Sequence, residues 1–251
     1  MKKLPLTHTH LLALCAPLVL TTAATNAEKP LPPTLAPWFR PPPEFDGKFG
    51  HYRSPLIFDN GSRVTNATEW PRRREEILRY WHEVMGPWPP VLKNPKLQVL
   101  GEQRRENFRQ QRVRVELAPG QPEEAWLLLP EGNGPFPAVL VLYYDPDTSI
   151  GLRKPYRDFG LQLARRGFVT LNVGTPGGDS RNPNLGGAQC QPLSFHAYVA
   201  ANCWQALANL PQVDATRIGV VGHSYGGKRA LFAGALWDTF AGVVTSDPGI
   251  V

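Results

Sequence analysis

The stretch RIGVVGHSYGGK, residues 217–228, decides the fold, because it joins an apolar strand pattern to a serine set between glycines. Ser224 is the centre of a G-x-S-x-G motif that Gly222 and Gly226 complete. Such a short motif is informative only when a strand leads into it and a helix leads out of it. The residues before the motif have a strand pattern, and residues 227–237 have a helical one. This context predicts a nucleophilic serine on a sharp turn.

Strand and helix patterns alternate on both sides of this turn. The predicted helices cover residues 69–85, 156–166, 194–210 and 227–237. The predicted strands cover residues 97–100, 112–117, 125–129, 138–144, 168–173, 217–221 and 242–245. The first three strands suggest an antiparallel opening, and the later ones alternate with helices. The pattern predicts an α/β fold in which a mostly parallel sheet has antiparallel N-terminal strands and helices on both faces.

The N-terminal region divides into two segments before the main domain. Two lysines, a short apolar run over residues 11–20 and small residues up to Ala27 predict a signal peptide at residues 1–27. Residues 28–46 are rich in proline, which predicts an extended arm or linker. Residues 47–251 are then predicted to form one main α/β domain, incomplete at its C-terminus. The signal predicts a secreted or periplasmic protein.

Composition and the length of the apolar run argue against two classes of binding partner, nucleic acids and membranes. The chain has 27 basic and 21 acidic residues, and removal of residues 1–27, with two lysines and no acids, lowers the net charge from +6 to +4. This small excess argues against nucleic-acid binding. The apolar run is too short to span a bilayer, so we expect no stable membrane association.

Neither a metal nor a cofactor is expected. No cysteines and histidines stand at zinc-binding spacing, and the pair Asp145 and Asp147 is more typical of loop chemistry than of a cation site. The mature chain keeps Cys190 and Cys203. Ten helical residues span roughly 15 Å, so their spacing favours two unpaired thiols.

Residues 213–227 resemble the elbow region of α/β-hydrolases, particularly the dienelactone-hydrolase-like and prolyl-oligopeptidase-like members. Residues 222–247 are similar to carbohydrate esterases, the group that includes glucuronoyl esterases and acetyl xylan esterases. Gly227-Lys228 and Gly234-Ala-Leu236 stand at matching offsets. The resemblance implies an α/β-hydrolase fold and ester hydrolysis through an acyl-enzyme at Ser224, with a small-molecule or carbohydrate ester as substrate.

An oxyanion hole is expected beside the serine. The residue after the nucleophile donates one backbone N–H in this fold, which indicates Tyr225, and the second donor should come from the backbone near Tyr144 or Asp145. The resemblance gives Lys228 a contact with a sugar hydroxyl, although an ordinary surface lysine fits equally. Glucuronoyl esterases have an arginine that helps to stabilise the oxyanion where this chain has Tyr225. The predicted substrate is therefore a general ester or an acetyl ester rather than a uronate ester.

The other members of the catalytic triad are harder to find. Asp247 lies 23 residues after Ser224, an offset at which some glucuronoyl esterases carry the triad acid, but the usual position would follow a later strand. No histidine follows Ser224, although the base comes last in this fold. We therefore expect a C-terminally truncated enzyme that lacks its last strands and its catalytic histidine.

Three functions remain open at this point. The first is an exported serine esterase. The second is a peptidase of the prolyl-oligopeptidase type, although residues 28–90 are too short for the propeller domain of that family. The third is a non-catalytic binding module on a hydrolase scaffold, which the absent histidine favours.

Residues 174–192, rich in glycine, follow a predicted parallel strand and should border the Ser224 pocket. The oligomeric state is not indicated.

Overall fold

The computed structural model describes residues 32–48 and 50–249. The chain divides into two compact units, Met1–Arg53 and Ser54–Val251. In the first unit, two short 3-10 turns cover Ala36–Phe39 and Pro43–Phe45. The predicted signal peptide lies outside the described residues, so the signal peptide and the domain boundaries stay predictions.

The second unit contains seven strands and five α-helices within its described residues. The strands are β1 (Leu97–Arg105), β2 (Phe108–Ala118), β3 (Gln121–Pro130), β4 (Phe136–Leu142), β5 (Val169–Val173), β6 (Val213–His223) and β7 (Gly242–Ser246). The helices are α1 (Trp70–Met85), α2 (Pro146–Ser149), α3 (Phe159–Ala164), α4 (Pro192–Ala208) and α5 (Tyr225–Leu236).

One seven-stranded sheet has the order β1-β2-β3-β5-β4-β6-β7. The pairs among β1, β2, β3 and β5 are antiparallel, whereas β4 pairs in parallel with β5 and β6, and β6 with β7. The chain runs from β4 to β5 on one side and then returns to place β6 on the other side. Such a change of direction opens a crevice at the carboxyl ends of the strands, where α/β proteins place their sites.

Helices cover both faces of this sheet, as predicted. Leu127 and Leu129 of β3 point into the larger core, which α4 and α5 complete. Leu128 lies between them and points to the opposite face, where it packs with Leu161 and Ala164 of α3. Alternate residues of one strand therefore serve two cores, because successive side chains of a strand point to opposite faces.

Several elements differ in length from their predictions. Strands β1 and β2 extend through a polar hairpin, since backbone pairing from Arg105 to Phe108 does not depend on apolar side chains. Helix α3 begins only at Phe159, because Tyr156 has φ 59°, outside the right-handed helical region. Strand β4 ends at Leu142, and the short helix α2 was not predicted. The predicted loss of later strands stays a prediction.

None of the described helices is both long and apolar enough to cross a lipid bilayer.

Candidate active site

Ser224 sits on a strained turn between β6 and α5. Its backbone has φ 56° and ψ −127°, a conformation that residues with a side chain rarely adopt. The turn is held from both sides. The Ser224 N–H donates to the Ser246 carbonyl at 2.9 Å, and the Ser224 carbonyl accepts from the Gly227 N–H at 2.8 Å. This conformation is the strand-to-helix elbow that the sequence motif predicts.

The glycines of the motif are required by backbone crowding. A Cβ on Gly222 would collide with the Gly226 carbonyl, and a Cβ on Gly226 would collide with the carbonyl of Leu142 in β4. A Cβ on Gly227 would lie 3.0 Å from the Ser246 oxygen. Because these neighbours are backbone atoms, they cannot move aside as a flexible side chain would. The elbow therefore fits between β4 and β7 only with glycine at these positions.

Tyr144 brings a hydroxyl group to the serine. Its phenol oxygen lies 3.1 Å from Ser224 Oγ, and the Tyr225 N–H donates to the same oxygen at 3.4 Å. The Tyr143 ring packs edge-on against the Tyr144 ring at a centroid distance of 5.1 Å. The Tyr144 hydroxyl and the Tyr225 N–H both lie beside the serine, where such donors would stabilise a developing oxyanion, and that role stays a prediction. The sequence pointed to the backbone near Tyr144 and missed its side chain.

Asp145 uses its side chain to cap α2. Its carboxylate accepts hydrogen bonds from the Thr148 N–H at 2.8 Å and the Thr148 hydroxyl at 2.9 Å. Asp147 pairs with Arg153 at 3.0 Å. The described residues include no group of three or more histidine, cysteine or acidic side chains that could hold a metal ion. The backbone role of Asp145 in an oxyanion hole stays a prediction.

Asp247 and Lys228 belong to the two elements next to the elbow, since Asp247 follows β7 and Lys228 lies in α5. Asp247 directly follows β7, is exposed and has φ 47°. Its neighbour Ser246 bonds the Ser224 backbone, but the Asp247 carboxylate has no hydrogen bond within the described residues. Lys228 lies in the first turn of α5, with Nζ 5.9 Å from the centroid of the Tyr225 ring. Both proposed roles stay predictions.

Two histidines lie near the elbow without reaching the serine. His223 Nδ1 lies 3.0 Å from Ser246 Oγ. The His196 side chain is buried and donates from Nε2 to the Ser180 carbonyl at 2.9 Å. Burial, with the nearby charge of Arg229, lowers the pKa of His196 to about 3, so its ring is neutral. No described histidine bonds the Ser224 hydroxyl.

Arg229 is a buried cation that the sequence did not reveal. Its side chain is 1% exposed and donates to the carbonyls of Tyr143 and Gly174, each at 2.9 Å. Burial lowers its pKa to about 10, which leaves the guanidinium charged at neutral pH. The arginine ties α5 to the residues that directly follow β4 and β5.

The glycine-rich loop over residues 174–192 lies at the same edge, as predicted. The Thr175 N–H donates to the Tyr144 carbonyl at 3.3 Å.

Cys190 and Cys203 are buried and unpaired, as their spacing favoured. Burial raises the pKa of the Cys203 thiol to about 12, so it stays protonated.

The sheet order, the helices on both faces and the strained serine elbow define an α/β-hydrolase. The comparison with protein families then gives a narrower result. The family model described as Esterase FrsA-like matches residues 98–238, which is more than half of the chain. The chain therefore belongs to the FrsA-like esterase family.

One curated protein and several solved structures are similar to this chain. The chain is 26% identical over 126 residues to Esterase EstD of Thermotoga maritima, a match that covers 48% of this chain and 28% of that protein. A glucuronoyl esterase from Solibacter usitatus superposes with a TM-score of 0.58 at 21% identity, over 78% of this chain and 63% of that one.

A second solved structure shares the same fold. A glucuronoyl esterase from Teredinibacter turnerae T7901 superposes with a TM-score of 0.58 at 21% identity, over 76% of this chain and 55% of that one. The chain thus spans less than two thirds of the relatives it matches. At these identities the structural likeness establishes the fold alone.

Proposed function

We propose that the protein is an exported serine esterase that hydrolyses carboxylic esters through an acyl-enzyme at Ser224. The observation that carries this proposal is the strained Ser224 backbone, with a phenol hydroxyl 3.1 Å from the serine oxygen. Strain persists only where the surrounding structure enforces it, and it concentrates at functional sites. Membership of an esterase family supports the same chemistry.

In the proposed reaction, Ser224 Oγ attacks the ester carbonyl carbon and its proton passes to a base. The carbonyl oxygen becomes an oxyanion and accepts hydrogen bonds from the Tyr225 N–H and the Tyr144 hydroxyl. Collapse of this intermediate expels the alcohol, which takes up the proton, and leaves an acyl group on Ser224. Water then attacks the acyl carbonyl in the same way and releases the acid.

The triad needs a base and an orienting acid. Asp247 is our candidate for the acid, since it follows the strand beside the elbow. In this class of enzyme the base is a histidine that orients on the acid and bonds the serine. None of the described histidines occupies that position, so this proposal assigns the base to no residue.

The substrate we propose is a neutral or acetyl ester, including esters on carbohydrate. Tyr225 stands where the resemblance expects an arginine that helps to stabilise the oxyanion, so strict specificity for uronate esters is not expected. Lys228 lies in the first turn of α5, and its ammonium group can donate a hydrogen bond to a sugar hydroxyl. The chemistry requires no metal or organic cofactor.

Covalent labelling tests the nucleophile. A fluorophosphonate should modify Ser224, as located by peptide mass spectrometry, and Ser224→Ala should abolish the label. Ser62→Ala, which alters an exposed serine far along the chain, should leave labelling intact. The assay should include the 251-residue chain and any longer product of the same reading frame. Absence of Ser224-dependent labelling in both would refute the proposal and favour the binding module.

Substrate and location need separate measurements. A panel of acetyl, uronate-methyl and peptide substrates separates the esterase from the prolyl-oligopeptidase alternative, and preferred cleavage of the peptide would contradict our proposal. For export, N-terminal sequencing of the mature protein should find the chain beginning just after Ala27. Recovery of an uncleaved protein from inside the cell would exclude export.

A further inference from the structure

A cavity of about 650 Å³ lies over β2 and β3, outside the Ser224 elbow. Its floor is a cross-strand block of four side chains. Arg112 of β2 pairs with Trp126 of β3, and Arg114 pairs with Glu124. The segment Pro146–Asp147, at the start of α2, forms one wall. The size of this cavity suits a small organic ligand or a short segment of a polymer.

The polar groups of the cavity form a connected network. The Glu124 carboxylate accepts from Arg112 and, at 3.4 Å, from Arg114. The Trp126 indole N–H donates to the Asp147 carboxylate at 2.8 Å, which fixes the orientation of the ring. Side chains held by such bonds form a preorganised surface and lose little conformational entropy when a ligand binds.

The charges of the cavity are balanced. Arg112 and Arg114 line it together with three carboxylates, those of Glu123, Glu124 and Asp147. Arg153 supplies a third cation through its 3.0 Å ion pair with Asp147. A charged ligand gains no net attraction from three cations and three carboxylates. A neutral ligand with many hydroxyl groups can donate to the carboxylates, accept from the guanidinium groups and lay apolar C–H surface on the indole.

The cavity is connected to the elbow through the same loop that carries Tyr144. Asp147 follows Tyr144 by three residues, which at full extension span at most roughly 11 Å. Gly174 packs against both Pro146 and the Tyr144 carbonyl. The Gly177 N–H donates to the Glu123 carboxylate at 3.3 Å. The 174–192 loop therefore contacts both a residue of the cavity and, through the Thr175 N–H, the Tyr144 carbonyl.

We infer that this cavity binds neutral sugar units of an oligosaccharide whose ester is presented to Ser224. The inference rests on the proposed esterase function for the role of the bound sugar, but not for binding itself. It gives the enzyme a polymer-binding site on Trp126, Arg114 and Glu124, separate from the residues that act on the ester carbonyl.

Calorimetric titration of the Ser224→Ala variant with xylotetraose measures this binding without any hydrolysis. We expect saturable binding that Arg114→Ala weakens by about tenfold, the loss of one hydrogen bond to a charged group. Trp126→Phe, which keeps a ring in the core contact, should also weaken it. Arg104→Ala removes another exposed arginine of the sheet, one that lies outside the cavity, and should have no effect.

Three outcomes would overturn the inference. These are no binding of xylotetraose, equal binding by the Arg114 and Arg104 variants, and tighter binding of the acidic oligomer tetragalacturonate. Hydrolysis of 4-nitrophenyl acetate by the 251-residue chain and by any longer product of the same reading frame is measured in parallel. Ser224-dependent hydrolysis without sugar binding refutes only the cavity assignment, whereas sugar binding without hydrolysis refutes only the esterase.

Discussion

At the scale of single residues, the informative contact is that between Tyr144 and Ser224. The sequence placed Tyr144 at the end of a strand and therefore near the site. It did not indicate that the phenol, rather than the backbone, faces the serine oxygen at 3.1 Å. Side-chain direction after a strand depends on how the chain leaves the sheet, and here the chain turns into α2.

Tyr144→Phe tests the phenol as an oxyanion donor. The variant keeps the ring and its packing on Tyr143 but loses the O–H, so kcat on a small ester should fall by about 10²- to 10³-fold with little change in KM. Tyr156→Phe removes a hydroxyl from a tyrosine that is 87% exposed, and should retain full activity. Equal kcat values in the two variants would exclude Tyr144 from the reaction.

At the scale of elements, the elbow depends on close contact between α5 and β4. Gly226 lies against the Leu142 carbonyl, and Arg229, one turn further along α5, bonds the carbonyl of Tyr143. The helix that begins after the nucleophile is thus fixed directly to the strand that leads to Tyr144. Ser224 and Tyr144, the proposed nucleophile and the proposed oxyanion donor, are thus held by one helix–strand contact.

Gly226→Ala should break this contact. The added methyl group meets backbone atoms that cannot rotate away, so we expect the free energy of unfolding to fall by about 1–3 kcal/mol. Gly101→Ala in β1, where an added Cβ meets nothing within 4 Å, should change it by less than about 0.5 kcal/mol. Urea unfolding of both variants makes the comparison. An unaltered midpoint for Gly226→Ala would show that the elbow tolerates a side chain.

At the scale of the whole molecule, burial of His196 links folding to pH. The pKa is about 3 in the folded protein and near 6.5 in an unfolded chain. Below pH 6.5 the unfolded chain therefore binds a proton that the folded protein excludes. The contribution of the neutral His196 ring to the free energy of unfolding is fully present above pH 6.5 and is lost as pH falls toward 3. About 2 kcal/mol of it is lost between pH 7.5 and pH 5.

His196→Gln should remove this pH dependence, because the amide can still donate to the Ser180 carbonyl but does not titrate. Denaturant unfolding at pH 7.5 and pH 5 measures the difference for each protein. His51→Gln replaces an exposed histidine and should retain the pH dependence of the parent chain. A parent chain equally stable at both pH values would contradict the burial of His196 as a neutral ring.

The order of the sheet was only partly predictable. Apolar periodicity and the glycines around Ser224 are local properties of the chain, so the sequence alone determined the α/β class, the antiparallel opening and the position of the elbow. Neighbour relations in the sheet depend on residues far apart in the chain. The placement of β5 between β3 and β4, for example, has no local signal.

The sequence by itself thus determined which residue stands on the elbow and why glycines surround it, because steric limits on the backbone act between near neighbours. Only the tertiary structure decided that the Tyr144 hydroxyl meets Ser224, that Arg229 is buried against the Tyr143 carbonyl and that four side chains of β2 and β3 line one cavity. These relations arise where separate strands and helices come together. The direction of a side chain there is set by packing partners that no local pattern records.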